Sequence, residues 1–108
     1  MIYTDTNRMC AMFMNPDRPK WEFLAKPTEA ELRSAMDGMG AYCGTYEVHV
    51  AEGYVLHHVE LDRIPNNMGI TRKRFFKLNG NRLVLTPEVV GPPTDVVETT
   101  ITWERVVK

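Results

Sequence analysis

The chain has no excess of either charge, no long apolar run and almost no cysteine, and each shortage removes a class of protein. Its 13 basic residues are balanced by 14 acidic ones, so it presents no electrostatic footprint for a polyanion and no nucleic-acid partner is expected. No apolar stretch approaches the roughly 20 residues of a membrane-spanning helix. Residues 1–15 also lack the basic start, apolar centre and small-residue cleavage site of an export signal. A cytoplasmic protein with no membrane partner is expected. The cysteines, Cys10 and Cys43, are too few for a disulfide framework and are read as reduced packing residues. There is no Gly-rich phosphate loop, no nucleophile elbow and no cysteine pair at metal spacing, so neither a cofactor nor a metal is expected.

What is there is 108 residues, enough for one hydrophobic core, and residues 1–108 are read as a single domain. The stretch around which the rest is organised is Tyr42 to Leu61, YCGTYEVHVAEGYVLHHVEL, a long β-hairpin carrying all three histidines. Side chains alternate across a strand, so Tyr46, Val48 and Val50 share one face, and Val55, His57, Val59 and Leu61 share one face of the return strand. A two-residue turn at Glu52 and Gly53 pairs Val50 with Val55, Val48 with His57 and Tyr46 with Val59, which puts every valine on one side. An odd loop would mix a carboxylate into that apolar side, and register follows the face that can be buried. His57 and the Tyr46 hydroxyl are therefore expected inside, with Glu47, His49, His58 and Glu60 outside.

Before this hairpin, Met1 to Thr4 and Arg8 to Met14 flank a turn at Asp5-Thr6-Asn7. NPDRPKWEFLAKP is too proline-rich for a central strand. Thr28 and Glu31 form a capping box ahead of Leu32, Ala35, Met36 and Met39, an apolar stripe on one short helix that Gly38 and Gly40 end. After it, Ile70 to Leu78 reads as a strand and Asn79-Gly80 as a tight turn pairing Phe76 with Leu83 and Arg74 with Leu85. That arrangement aims Arg74 inward beside Phe76 and Leu85. Beyond a Pro-rich loop at Pro87 to Thr94, Asp95 to Val107 reads as a last strand with Val97, Thr99, Ile101, Trp103 and Arg105 on one face. The sum is an all-β fold with one short helix, an antiparallel meander β-barrel of about seven strands per chain. In such a meander the first and seventh strands run the same way and cannot close antiparallel, so a homodimer covering the open edge is expected.

The pieces IYT at Ile2 to Thr4, NPDRPKW at Asn15 to Trp21, GTYEV at Gly44 to Val48, HHVE at His57 to Glu60, RFFKLNGNRL at Arg74 to Leu83 and WERV at Trp103 to Val106 resemble the lipocalin-like domain family of the calycin superfamily. The likeness runs in order over nearly the whole chain. It implies a lipocalin-like barrel and little about chemistry. Family members usually carry a further first strand with a Gly-x-Trp motif, which this chain lacks, and Arg105 is similar to the last-strand arginine that packs over that tryptophan.

Three residues could carry chemistry. His57 is either a general base and ligand contact or a core imidazole satisfied by a neighbour. Arg74 either binds a carboxylate or enolate oxygen or bridges backbone carbonyls. Tyr46 is either an acid and orienting donor or a packed ring with one hydrogen bond. The expected apolar lining is Val48, Val59, Phe76, Leu85 and Trp103. The first functional reading is a small-molecule-binding barrel for a hydrophobic or aromatic metabolite. The alternatives are an isomerase, cyclase or dehydratase of secondary metabolism using His57, Tyr46 and Arg74 as an acid/base pocket, and an interaction module that pairs through its open sheet edge.

Overall fold

A computed structural model describes residues 1–88 and 100–106 of the chain. Seven strands follow one another as a meander, each antiparallel to the next: β1 (Ile2–Tyr3), β2 (Arg8–Met14), β3 (Met39–His49), β4 (Tyr54–Asp62), β5 (Thr71–Asn79), β6 (Arg82–Pro87) and β7 (Ile101–Glu104). The sheet curls into a half-barrel, and among the described residues β1 and β7 remain unpaired edges. The Cα radius of gyration, 15.9 Å, exceeds the roughly 13 Å of a compact domain near this length, as an open sheet requires.

Both central hairpins keep the expected parity, yet each is shifted by two residues. In the first, Val50 to Gly53 form a four-residue loop, so Val48 faces Val55 and Tyr46 faces His57. Gly53 has a φ of 76°, a left-handed conformation that glycine adopts without a Cβ penalty. In the second, the turn is Gly80-Asn81 rather than Asn79-Gly80, which pairs Phe76 with Leu85 and Arg74 with Pro87. Gly80 at φ 60° in the first central position suits a type II′ turn. A shift of two leaves every side chain on its expected face but changes its neighbours.

The register slips once more, between Cys43 and Gly44. A Cβ on Gly44 would run into the backbone carbonyl of His58, so this close approach requires glycine. The bulge reverses the parity of the end of β4. Leu61, expected inside, is 62% exposed, and Tyr42 faces Asp62 instead.

The core lies between β1 and β4: Met9, Ala11, Tyr42 and Val59 are buried, with Met1, Tyr3 and Tyr46 packed against them. Burial of a side chain such as Val59 contributes about 2 kcal/mol. The helix α1 (Glu29–Asp37) begins as its sequence dictates: the Thr28 hydroxyl accepts from the Glu31 amide at 3.1 Å, and the Glu31 carboxylate accepts from the Thr28 amide at 2.8 Å. The bonds from the Thr28 and Glu22 amides hold the Glu31 carboxyl below the usual range. At the other end Arg63 donates to the Met36 carbonyl and Arg18 to that of Ala35, so cations from elsewhere complete the carbonyl end. The apolar stripe expected to pack is only partly covered, since Leu32 and Met36 are exposed.

Cys10 and Cys43 are directly opposed on β2 and β3 and form a disulfide across a Cα separation of 4.1 Å. The expectation of reduced thiols is corrected: strand pairing brings together two residues whose sequence spacing gave no hint of it. Residues 89–99 and 107–108, including Val97 and Thr99 of the expected last strand, lie outside the described residues. Within β7, Ile101 and Trp103 are half-buried while Thr102 and Glu104 are exposed, the expected alternation. Arg105 follows the strand and is exposed, its backbone amide donating to the Asn81 carbonyl at 2.7 Å.

Candidate functional site

The inner face of the curled sheet carries a row of polar groups set by register: Tyr46 opposite His57, and His57 opposite Arg72. His57 is fully buried. Its Nδ1 lies 2.8 Å from the Tyr42 hydroxyl and its Nε2 lies 2.6 Å from the Tyr3 hydroxyl. Burial, reinforced by the charges of Arg74 and Arg72, lowers the imidazole from 6.5 to about 4, so it is neutral at pH 7. Burial also raises the Tyr3 phenol above its ordinary value. The three side chains form an uncharged hydrogen-bonded chain with both ring nitrogens occupied.

Tyr42 is also a wall of a cavity of about 390 Å³. That space lies at the α1 end of the concave face. Phe13, Met39, Ile64 and Ile101 give it apolar lining, and Asp37, Tyr42, Asp62, Arg63, Asn67, Arg72 and Arg74 give it polar lining. The Arg72 guanidinium sits 5.2 Å from the centre of the Tyr42 ring, within cation–π range, and 3.3 Å from the Asp62 carboxylate. Both members of that ion pair have nearly buried side chains, 11% and 6% exposed, so the pair orients Arg72 in a poorly screened environment.

The sequence-derived candidates divide. Arg74 is buried, 6% exposed, and lines the cavity. His57 is inside but sealed behind Tyr42 and Tyr3, where it touches no open space. The Tyr46 hydroxyl is directed at the backbone, donating to the Thr4 carbonyl at 2.6 Å, while its ring meets that of Tyr3 edge-on at 4.7 Å. Val59 belongs to the core cluster, and Val48 is half open at the far hairpin tip. Phe76 and Leu85 pair on the inner face, Leu85 beside the cavity residue Ile101, but neither lines the cavity. Trp103 is half-buried, and its indole N–H has no hydrogen-bond partner among the described residues.

Sequence reasoning missed Tyr42, Asp62 and Phe13. The lone Gly44 inside a strand pattern is the signal that could have found Asp62, because it marks the bulge that turns this carboxylate inward. On the outer face Glu47 lies 3.3 Å from His58 and 3.8 Å from His49, the surface grouping expected from parity. No cluster of three or more candidate ligands among the described residues could hold a metal ion.

A curled antiparallel meander with one short helix and a cavity on its concave face is the architecture of an all-β, lipocalin-like domain. The chain belongs to the lipocalin-like domain family, whose pattern it matches over residues 1–106. No curated protein and no solved structure matches it significantly. No helix among the described residues is long and apolar enough to cross a membrane.

Proposed function

We propose that the chain is a lipocalin-like binding domain that holds a small hydrophobic or aromatic metabolite on its concave face, with Arg74, Arg72 and Tyr42 supplying the polar contacts. The observation that carries this reading is the cavity of about 390 Å³, in which Phe13, Met39, Ile64 and Ile101 stand beside a strongly polar set that includes Tyr42, Asp62, Arg72 and Arg74, a size within the range of small-molecule sites. The enzyme alternative draws less support. A base must reach the proton it removes, and His57 has both nitrogens engaged by tyrosines and too little basicity at neutral pH. The test is binding of the neutral fluorophore N-phenyl-1-naphthylamine. Saturable enhancement that weakens several-fold in Phe13→Ala and in Ile101→Ala, but not in Leu61→Ala on the outer face, is expected. Equal effects from all three would place the dye elsewhere.

A homodimer is favoured by the two edges that the meander leaves open among the described residues, because β1 and β7 run in the same direction and a second copy can cover either. Sedimentation at micromolar concentration should give twice the chain mass; a monomer would remove this reading and the interaction-module alternative with it. The cytoplasmic location expected from the sequence stands against the Cys10–Cys43 bond, which persists most readily in an oxidising compartment.

A further inference from the structure

Among the described residues that line the cavity, Tyr42 alone also belongs to the hydrogen-bonded chain through His57 to Tyr3. A neutral imidazole has one N–H donor and one bare acceptor nitrogen, so this chain has two polarities. In one, the Tyr3 hydroxyl donates to Nε2 and the Nδ1–H donates to the Tyr42 oxygen, which leaves the Tyr42 O–H proton uncommitted. In the other, the Tyr42 hydroxyl donates to Nδ1 and the Nε2–H donates to the Tyr3 oxygen, leaving Tyr42 only its lone pairs. Moving between them changes no net charge. The lowered His57 and raised Tyr3 keep both partners uncharged near neutral pH.

We propose that Tyr42 is a specificity-determining residue of the cavity, recognising an uncharged oxygen or hydroxyl group on an otherwise hydrophobic ligand, and that His57 is a positioning residue whose tautomer sets whether Tyr42 donates or accepts. This rests on the binding reading above and names the polar group that the ligand carries. A hydrophobic body meets Phe13, Met39, Ile64 and Ile101, and one ether, carbonyl or hydroxyl satisfies Tyr42. No proton is transferred to the ligand, because neither His57 nor Tyr3 is suited to hold the resulting charge.

The experiment uses 2-methoxynaphthalene and 2-ethylnaphthalene, which match in size and differ in one acceptor oxygen. With the wild-type chain the methoxy probe should bind about fivefold to tenfold more tightly, the worth of one neutral hydrogen bond, and Tyr42→Phe should bring that ratio close to one. In ¹⁵N spectra of the wild type, the methoxy probe should hold His57 with Nδ1 protonated, and the ethyl probe should not. A preference that survives Tyr42→Phe overturns the proposal, as does a His57 tautomer indifferent to the probe, and the second readout needs no variant to fold. If neither probe binds the wild type, the binding reading itself fails and the proposal falls with it. Binding of both with equal affinity sinks only the role of Tyr42.

Discussion

Tyr42 and His57 stand 15 residues apart in the chain and are joined by a 2.8 Å hydrogen bond that links a fully buried imidazole to the wall of the cavity. Replacing the imidazole by a ring of similar size, His57→Phe, removes the shared partner of the Tyr42 and Tyr3 hydroxyls. A cost of about 2–4 kcal/mol is expected from orphaned polar groups and altered packing. Adding Tyr42→Phe should recover part of the loss, since removing both partners is cheaper than removing one. Denaturant midpoints of both single variants and the double variant check this; a double loss equal to the sum of the two single losses would mean that the pair is not coupled.

Stability should also depend on pH through the same imidazole. The native state keeps His57 neutral down to about 4, whereas an unfolded histidine takes up a proton near 6.5. The contribution is therefore complete above pH 6.5 and is lost as pH falls from there towards 4. A shift of that size corresponds to on the order of 3 kcal/mol. Unfolding curves between pH 4 and 7 should show this slope in the wild type and a shallower one in His57→Gln, which does not titrate.

Two glycines on β3 should respond differently to alanine. At Gly44 the new Cβ meets the fixed backbone carbonyl of His58, and at Gly40 it meets the side chain of Phe13. Backbone cannot step aside, so Gly44→Ala should cost at least about 2 kcal/mol. The Phe13 ring, 43% exposed, can swing away, so Gly40→Ala should cost less while changing the cavity that both residues line. Thermal unfolding of the two variants, with the dye affinity of Gly40→Ala, separates these outcomes.

The outward faces and the single helix were legible in the sequence because each rests on a local rule. Alternation places His57 and Arg74 inside and Glu47 and His58 outside, and Thr28 with Glu31 fixes the helix start. Alternation survives a register shift of two residues, which is why the faces held while the pairings Val48 with His57 and Arg74 with Leu85 did not. The site was less legible. Asp62 faces inward only through the bulge at Gly44, and the cavity joins Phe13 of β2 to Ile101 of β7 through the curl of the whole sheet, which no local pattern records. Cys10 and Cys43 were misread for the same reason: their opposition depends on how β2 and β3 align.

The disulfide gives a further expectation. It closes a loop across a sequence separation of 33, and restricting the unfolded chain to that extent is worth about 3–4 kcal/mol in the chain-entropy model. Protein unfolded without reductant should show no alkylatable thiol by mass spectrometry, and reduction should lower the denaturant midpoint. Two free thiols in the unreduced protein would contradict the pairing.

The binding reading itself is tested most directly by following backbone amide shifts while 2-methoxynaphthalene is titrated into ¹⁵N-labelled protein. Saturable shifts concentrated at Tyr42, Arg72, Arg74 and Ile101 are expected. Shifts confined to the outer hollow lined by Ile2, Cys10 and Leu61, or none at all, would contradict a ligand site on the concave face.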